Sequence, residues 1–572
     1  MVNFRNLQAT LADVYGDNGI QAPTFAAGAS IDFPPAGYSE TFQVTAPVAI
    51  PHGATPSCTV QLGWHAFASS YGKPWVINNF TLPAECSQHG SDFSKVVLQL
   101  QSSSKGRQFD RVYQVWFDGA EALRGCTDEP TKTGVWWQIQ KDVTDFSPIL
   151  KTTKTITVGL DNINDKTYTG VYNTSIALTF YAANKQNPKP ATVPVVLIPL
   201  QSGGQYPHVV LNGKGTAANF ALSNLPKNIK RAELEYFVSP HQSDEFYYLN
   251  VPDQVANPDY GIYGSGNFKE LTVAIDGKQV GTDFPFQLLY TGAMNPTLWK
   301  GIVDTRGEDF PSYRFDLTPY ASLLNDGAAH NFTLNVTTQA TGSLWYVDAN
   351  LRLWLDDSVS HTKGKVYSSK FPIVEPTVVV KSNNESGDFS VETTVAKSLE
   401  YSGSVGNLLT SITRQLKFSS FLNYTQQTNV VVGYHNIDTI TETVVTNTKN
   451  GQIASWTSTV ASYPFTFNFT YTNLNADGSL YYFYSLFDKS RNINSVTVTG
   501  ADSQSSSILE RHIAEGFQSN SKTLPTGWLN ENDHTVEYES LVIDNGNVWS
   551  YVRNVKAVNG TVASDEERSQ GY

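Results

Sequence analysis

Short segments that alternate apolar and polar residues recur along this chain, and they constrain its fold more than any other feature. A period of two places successive side chains on opposite faces of an extended strand, and β-branched and aromatic residues favour strands. Gly, Asn, Asp and Pro separate the segments, as turns require. Five of these segments are residues 95–101, 112–117, 155–160, 232–238 and 271–275. The sequence therefore predicts an all-β fold.

Turn signals support this prediction, and helical periodicity is rare. Asp118-Gly119, Asp276-Gly277 and Asp326-Gly327 each lie between predicted strands, and Asp-Gly is a strong signal for a tight turn. Residues 505–516 are the best candidate for a helix. The expected architecture is a β-sandwich or jelly roll that is repeated along the chain.

The chain has 572 residues, too many for one compact core. Residues 184–190 are rich in Pro and predict a stiff linker, and a second break lies near residues 356–364. The predicted organisation is an N-terminal extension (1–29), a first jelly-roll domain (30–185), a second jelly-roll domain (191–357) and a third, β-rich C-terminal domain (365–572).

A short phrase of Asp, an apolar residue and Thr occurs at the same relative place in both predicted jelly rolls. It begins at Asp142 in the first and at Asp316 in the second, covering residues 142–146 and 316–320. This repetition predicts two related sandwiches that pack side by side. The interface between two such domains is a common place for a ligand site.

Composition excludes several classes of partner. The formal net charge is −13 and there is no basic stripe, so nucleic-acid binding is not expected. The longest apolar run, residues 193–200, is too short to span a bilayer and contains Pro194 and Pro199, so no membrane association is expected. Residues 1–5 show no signal peptide, which indicates either a cytosolic protein or a trimmed chain. No metal-ligand spacing or phosphate loop is present, so we expect no cofactor and no metal.

Cysteines and glycosylation sequons bear on the compartment. Cys58 and Cys86 can close a disulfide loop worth about 3 kcal/mol, and Cys126 is interpreted as an unpaired structural thiol. Sequons occur about as often as chance allows, at Asn79, Asn173, Asn331, Asn335, Asn384, Asn423, Asn468 and Asn559. These features permit secretion, and the localisation that we expect is secreted or vacuolar.

Two clusters of polar residues are candidates for a site. The first, residues 105–111, is either a functional loop or a solvated salt-bridge cluster; in an extended strand Asp110 and Arg111 would face opposite ways, so only one would reach a cleft. The second, residues 241–248, follows a predicted strand and is either a sugar-binding loop or an ordinary exposed acidic turn.

Tryptophan side chains are a third candidate, because aromatic rings stack on the apolar faces of sugars. In a β-sandwich, however, a Trp is more often a core residue. The residues in question are Trp136, Trp137, Trp299 and Trp345.

Several longer phrases, in order, resemble a known family. They are residues 105–111, 127–131, 168–172, 238–246, 290–296 and 345–351. Together they resemble the plant and fungal peptide:N-glycanase A family over most of the chain. A fainter similarity, through residues 109–111, 142–146, Glu245-Phe246 and residues 316–319, reaches the bacterial peptide:N-glycanase F, which is built of two adjacent jelly rolls.

The resemblance implies a catalytic pair and a set of substrate-binding residues. Asp110 corresponds to the key catalytic acid and Glu245 to the acid of the second domain that assists it. A third acidic position of the family falls at Asp161-Asn162. The remaining implied substrate-binding residues are Arg111, His241, Asp244, Trp299 and Arg306.

The activity that the resemblance implies is hydrolysis of the amide between asparagine and the innermost GlcNAc of N-glycans on glycopeptides and glycoproteins. Asn becomes Asp, and the intact glycan leaves as a glycosylamine. Two alternatives stay open: a non-catalytic glycan-binding (lectin-like) β-sandwich, and a glycoside hydrolase, which would leave one sugar on the protein. The sequence does not indicate an oligomeric state.

Overall fold

The computed structural model describes residues 33–87, 92–213, 215–257, 262–295, 297–337, 339–383, 385–473, 480–520 and 528–570. Strands dominate these residues, and the α-helices among them are two single turns, which confirms the all-β prediction. The predicted extension (1–29), the sequon at Asn384 and Pro296 of the family phrase lie outside the described residues.

Nine strands and two facing sheets make up the first jelly roll. They are β1 Ser39–Glu40, β2 Cys58–Phe67, β3 Trp75–Asn78, β4 Phe93–Ser104, β5 Val112–Phe117, β6 Ala120–Cys126, β7 Val135–Asp142, β8 Thr155–Leu160 and β9 Tyr172–Ala182. One sheet has the order β1-β7-β4-β9-β2 and the other β3-β8-β5-β6. The apolar residues of the alternating segments face each other between the two sheets and form the core.

The second jelly roll repeats this arrangement. Its strands are β10 Val196–Leu200, β11 Val209–Asn212, β12 Ala217–Leu222, β13 Ile229–Gln242, β14 Leu271–Ile275, β15 Lys278–Asp283, β16 Tyr313–Asp316, β17 His330–Val336 and β18 Ser343–Leu355. The sheet orders are β10-β18-β13-β16, with β11 also on β18, and β12-β17-β14-β15. Apart from β1, which has no counterpart, and β10 and β11, which together take the place of β2, the strands follow the order of the first jelly roll, so the two modules share one topology.

The repeated phrase has the same structural role in both modules. Asp142 ends β7 and Asp316 ends β16, and each carboxylate accepts the backbone N–H of the Thr two residues later at 2.9 Å. A 3-10 turn follows (Thr144–Phe146 and Thr318–Tyr320), and then a one-turn helix, α1 Ser147–Leu150 or α2 Ala321–Leu324. Other 3-10 turns in the described part of the chain are Ala84–Ser87, Tyr247–Leu249 and Asp253–Val255.

The rest of the described chain forms one twelve-stranded antiparallel sheet. Its strands are β19 Gly364–Lys370, β20 Thr377–Asn383, β21 Asp388–Val405, β22 Leu408–Gln427, β23 Val430–Lys449, β24 Gln452–Ser462, β25 Phe465–Asn473, β26 Tyr481–Thr499, β27 Asp502–Asn520, β28 Trp528–Asp544, β29 Asn547–Val558 and β30 Thr561–Gln570. The three groups of strands fall on either side of residues 184–190 and 356–364, and the exact domain limits stay predictions.

The helix predicted at residues 505–516 is wrong, because these residues lie within β27. The buried face of this strand includes Glu510, His512 and Ala514. Glu510 and His512 are polar and pair with residues of the second jelly roll. The buried face of β27 therefore does not show the alternation of apolar and polar residues that predicts a strand. The pairing of β27 with both β26 and β28 overrides the local helical spacing.

The predicted Asp-Gly turns are present. Asp118-Gly119 joins β5 to β6 and Asp276-Gly277 joins β14 to β15, and φ is positive at both residues of each pair, as a two-residue hairpin of type I′ requires. Asp326-Gly327 follows α2 instead and is not a hairpin, although Gly327 has φ +84°. Within the described residues, no helix is long and apolar enough to cross a membrane.

Buried polar contacts join the two jelly rolls. Arg124, on β6, is fully buried, and its guanidinium donates twice to the Glu121 carboxylate at 2.7 Å. Its third nitrogen reaches across to the Ser239 hydroxyl at 3.0 Å and the Tyr346 carbonyl at 2.6 Å in the second module. The relative position of the two modules is thus set by directional bonds as well as by apolar packing.

The twelve-stranded sheet is tied to the second jelly roll by ion pairs. Arg306 donates through Nε to both oxygens of Glu510 on β27 at 3.1 Å. Burial raises the pKa of Glu510, but the charges of Arg306 and Arg491 outweigh it and bring that pKa down to about 2. Lys489 contacts Asp304 in the same interface. These buried pairs hold residues 290–310 against the sheet.

Cysteine pairing agrees with the possibility raised by the sequence. Cys58 on β2 and Cys86 form a disulfide, with their Cα atoms 4.9 Å apart. Cys126 is free and buried.

The segment between β1 and β2 is held by contacts to two buried acidic residues, Asp128 and Glu308. Thr41 donates its hydroxyl to Asp128, and the Gln43 side chain accepts the backbone N–H of Glu308 at 3.0 Å. Burial raises the pKa of Asp128 to about 7, and burial together with the charge of Asp128 raises the pKa of Glu308. The two carboxyls therefore hold a proton near neutral pH.

We predict that Asp128→Asn flattens the pH dependence of stability. Folding raises this pKa from 3.8 to about 7, so the stabilisation is complete below pH 3.8 and is lost as pH rises through 7. Between pH 8.5 and 6 wild type should gain about 1.4 kcal/mol from this group, measured by urea unfolding, and the variant should not. Histidines whose pKa is lowered by burial oppose this gain as pH falls toward 6, but they do so equally in wild type and variant, so the difference between the two slopes reports Asp128.

The matched control is Asp165→Asn, which removes an exposed carboxyl whose pKa is lowered by backbone hydrogen bonds. Its slope should equal that of wild type over the same range. An Asp128→Asn slope equal to wild type would contradict the assignment.

Candidate active site

A cavity of about 330 Å³ opens between the two jelly rolls. The first module supplies the loop before β5 and the ends of β6 and β8, and the second supplies the end of β13 and parts of β18. The lining residues are Tyr71, Phe109, Asp110, Arg111, Val112, Gln114, Cys126, Gly159, Leu160, Asp161, Tyr206, His208, His241, Gln242, Glu245, Tyr290, Leu344 and Tyr346.

Five of the residues singled out from the sequence meet in this cavity. Asp110, Arg111 and Asp161 come from the first jelly roll, and His241 and Glu245 come from the second. Neither module alone brings the two acids of the implied catalytic pair together. The cavity therefore depends on the interface.

The loop at residues 105–111 is irregular and firmly held. Gly106 has φ +112°, and a β-carbon there would lie 2.7 Å from the Thr169 hydroxyl. The Gln108 side chain donates to Asn162 at 2.6 Å, and the backbone of Arg107 donates to Thr169 at 3.1 Å. Because this loop is not extended, Asp110 and Arg111 both line the cavity, and the expectation that only one of them would face a cleft is wrong.

Asp110 lies in a buried setting with two kinds of neighbour. Burial raises its pKa, while the Cys126 thiol and the charge of Arg111 partly offset that rise. The Cys126 Sγ donates to Oδ2 of Asp110 at 3.4 Å, and the backbone N–H of Gly292 also donates to this carboxylate. Burial and the charge of Asp110 raise the pKa of the Cys126 thiol, so Cys126 acts as a hydrogen-bond donor and not as a thiolate nucleophile.

Arg111 is fixed at its backbone and at one side-chain nitrogen. Its N–H donates to the Thr127 hydroxyl at 2.9 Å, and Nη2 donates to Gln108 at 2.7 Å. Its Nε is buried and has no hydrogen-bond partner within the described part of the chain. The side chain thus brings positive charge to the cavity close to Asp110.

Glu245 and His241 enter the cavity from a turn at the end of β13. Gln242 has φ +57°, and the backbone N–H of Glu245 donates back to the Gln242 carbonyl at 3.0 Å. Burial lowers the pKa of His241 well below its usual value, and the charge of Arg124 acts in the same direction. His241 is therefore neutral and contacts the Ser239 hydroxyl at 3.0 Å.

A column of rings forms the wall of the cavity on the side of the second module. Successive ring centroids lie 5.3, 4.6, 4.0 and 5.9 Å apart. The rings belong, in order, to Tyr206, His208, Tyr346, His241 and Tyr290. Such rings offer both an apolar face and a polar edge, which suits a sugar. Apart from His241, the local sequence pattern did not indicate this wall, because its members are scattered between residues 206 and 346.

Asp161 supports the rim of the cavity. It accepts the Tyr206 hydroxyl and the backbone N–H of Gly72 at 2.8 Å, and so links the first jelly roll to the ring column. Its neighbour Asn162 points away and is fully buried, where it donates to the carbonyls of Phe67 and Gly170. Of the ambiguous pair Asp161-Asn162, only Asp161 lines the cavity.

Three other predicted substrate-binding residues also lie outside the cavity. Asp244 is fully buried and accepts hydrogen bonds from Trp345 and Asn250 while pairing with Lys269 at 3.2 Å. Trp299 is buried and donates to the Ala293 carbonyl at 2.8 Å. Arg306 is engaged by Glu510, as described above. Each is held by structural partners that local sequence did not show.

The candidate tryptophans do not line the cavity. Trp137, Trp299 and Trp345 are core residues, and Trp136 packs at its edge against Phe33, with centroids 5.2 Å apart. Among the described residues, no group of three or more His, Cys, Asp and Glu side chains is placed to hold a metal ion.

Comparisons with known proteins identify the family. The family model described as Peptide N-acetyl-beta-D-glucosaminyl asparaginase amidase A matches residues 47–371. A curated relative from Prunus dulcis, Peptide-N4-(N-acetyl-beta-glucosaminyl)asparagine amidase A, is 31% identical over 564 residues, covering 94% of each chain.

Similarity to solved structures is weak. PNGF-II gives a TM-score of 0.36 at 14% identity, covering 52% of this chain and 66% of the other. Recombinant peptide:N-glycanase F gives 0.33 at 15% identity, covering 52% and 96%. The family match and the curated relative by themselves show that the chain belongs to the peptide N-acetyl-β-D-glucosaminyl asparaginase amidase A family.

Proposed function

We propose that this enzyme hydrolyses the amide between asparagine and the innermost GlcNAc of N-glycans on glycopeptides and glycoproteins. In this proposal Asn becomes Asp, and the intact glycan leaves as a glycosylamine. Family membership supports amidase activity. The observation that carries the proposal is the meeting of Asp110, Arg111 and Glu245 in one cavity between the jelly rolls.

Asp110 is the acid/base of the proposed reaction. Its carboxylate takes a proton from water, the water oxygen bonds to the side-chain carbonyl carbon, and the carbonyl oxygen becomes negative. Collapse of this intermediate breaks the C–N bond, and the proton held by Asp110 passes to the leaving nitrogen. Because burial raises its pKa, Asp110 accepts a proton more readily than an exposed Asp.

The other cavity groups supply charge and binding. Arg111 brings positive charge toward the developing oxyanion, which preorganised cationic groups stabilise in a water-poor site. Glu245, from the opposite module, binds the sugar or orients the water. The ring column receives the sugar face. The free glycosylamine then exchanges its amine for water and releases ammonia.

We also propose that the protein works outside the reducing cytosol, in a secreted or vacuolar compartment. The Cys58–Cys86 disulfide supports this location, since disulfides persist in oxidising compartments. Exposed sequon asparagines at Asn79, Asn331 and Asn559 agree with it.

Asp110→Asn should lower kcat/KM by about 10²–10⁴-fold, the range that a general acid/base contributes. The assay digests a defined N-glycopeptide in ¹⁸O-labelled water and weighs both products. Wild type should return a peptide with one ¹⁸O in a new Asp, together with the whole glycan. Asp165→Asn, an exposed carboxyl, is the matched control and should keep full activity.

Each contrary outcome points to a different function. A peptide that keeps one sugar would identify a glycoside hydrolase. Unchanged glycopeptide with retained binding would favour the glycan-binding alternative. An Asp110→Asn variant with near-normal turnover would remove Asp110 from the mechanism.

The neighbours Glu245 and Asp244 should respond oppositely to substitution. Glu245→Gln should lower kcat/KM by at least about tenfold without changing the melting temperature, because Glu245 lines the cavity. Asp244→Asn should lower the free energy of unfolding by about 3–5 kcal/mol, because it removes the buried carboxylate that pairs with the buried Lys269. Kinetics and urea unfolding of both variants check this, and the reverse pattern would exchange their roles.

A further inference from the structure

Gly292 marks a point where two carboxyl groups converge. A β-carbon built on this glycine would lie 2.4 Å from Oε1 of Glu129 and 3.2 Å from Cγ of Asp110. Only a residue without a side chain leaves room for both acids. The carboxyl groups of Glu129 and Asp110 therefore approach the same point beside Gly292, although Glu129 does not line the cavity.

The segment that carries Glu129 is bonded to the loop that carries Asp110. The backbone N–H of Thr127 donates to the Arg111 carbonyl at 2.8 Å, and the Arg111 N–H donates to the Thr127 hydroxyl at 2.9 Å. The Glu129 carboxyl also accepts the backbone N–H of Asp110. These bonds hold the two acids side by side.

One oxygen of the Glu129 carboxyl is buried and can still form a hydrogen bond. Within the described residues, Oε1 has no hydrogen-bond partner. A buried carboxyl oxygen without a donor is costly when ionised and is satisfied when it carries a proton that a neighbour can accept. The Asp110 carboxylate, which approaches the same point beside Gly292, is the candidate acceptor for that proton.

The charges around the pair favour one shared proton. Burial raises the pKa of both carboxyls, and the charge of Asp110 raises that of Glu129 further. Two adjacent buried carboxyls cannot both ionise cheaply. The groups that face the pair are Arg111, Lys300, Cys126, Asp128, Tyr172 and Tyr290.

We propose that Glu129 is a positioning residue, which stays protonated and donates to the Asp110 carboxylate, so that the pair carries one negative charge. This inference rests on the proposed function of Asp110. In the resting enzyme Glu129 keeps Asp110 ionised and oriented toward the cavity. When Asp110 takes a proton from water the pair holds two protons, and it returns to one when the leaving nitrogen is protonated.

Two substitutions separate this role from a merely structural one. Glu129→Gln keeps a donor and cannot ionise, so the acid limb of its kcat/KM profile should stay within about half a pH unit of wild type. Glu129→Ala removes the donor, so Asp110 should ionise less readily and the acid limb should move to higher pH by about one unit or more. Glu85→Gln, in the exposed turn Ala84–Ser87, is the control.

A direct titration tests the pair without relying on turnover. The infrared difference spectrum between wild type and Glu129→Gln should show one buried protonated carboxyl at neutral pH, beyond the proton that both proteins keep at Asp128 and Glu308. In Asp110→Asn the same band should titrate at lower pH, because the neighbouring charge is gone. A missing band, or one whose titration ignores Asp110→Asn, overturns the proposal.

The two measurements distinguish the two ways of failing. If wild type does not hydrolyse glycopeptides but the coupled band is present, the proposed function fails and the carboxyl pair stands. In the other case, hydrolysis depends on Asp110, but both Glu129 variants change kcat/KM by the same factor at every pH and leave the acid limb in place. The proposed function then stands, and the role of Glu129 is structural.

Discussion

Arg124 is buried between the jelly rolls, and its contacts hold the two sides of the cavity against each other. Its two bonds to Glu121 satisfy its charge within the first module, and its bonds to Ser239 and Tyr346 set the second module against it. Beside it, Trp116 donates to Asp348 across the same interface at 2.8 Å. A buried guanidinium tolerates little displacement, since any bond that it loses leaves charge unpaired. The two modules can therefore present their acids to one cavity in a fixed arrangement.

The twelve-stranded sheet supports this arrangement from the other side. Lys489 and Glu510 pair with Asp304 and Arg306 and so anchor residues 290–310, which carry Tyr290 to the ring column and Gly292 to Asp110. The C-terminal sheet does not line the cavity, yet it fixes a backbone N–H that contacts the acid. This gives the third group of strands a physical connection to the site.

Period-two alternation was enough to predict the strands, because it reflects burial of one face, and Asp-Gly pairs were enough to predict two hairpins. It failed at β27, where the buried face carries Glu510 and His512. The resemblance located Asp110 and Glu245, but it also selected Asp244 and Arg306, whose partners Lys269 and Glu510 are distant in sequence. Glu129 and the ring column stayed hidden for the same reason: their neighbours are set by tertiary packing and not by local pattern.

One physical property of the interface links reactivity to stability. Removing carboxyls from water raises the pKa of Asp110, Glu129 and Asp128 alike, so the interior beside the cavity holds protons that exposed acids would lose. The burial that prepares Asp110 to accept a proton therefore also makes the fold favour its protonated acids. The reactivity of Asp110 and the stability of the fold could be separated only if the donor beside Asp110 did not itself titrate. The chain uses a second carboxyl as that donor. The protonation of the site and the stability of the module interface therefore change together with pH.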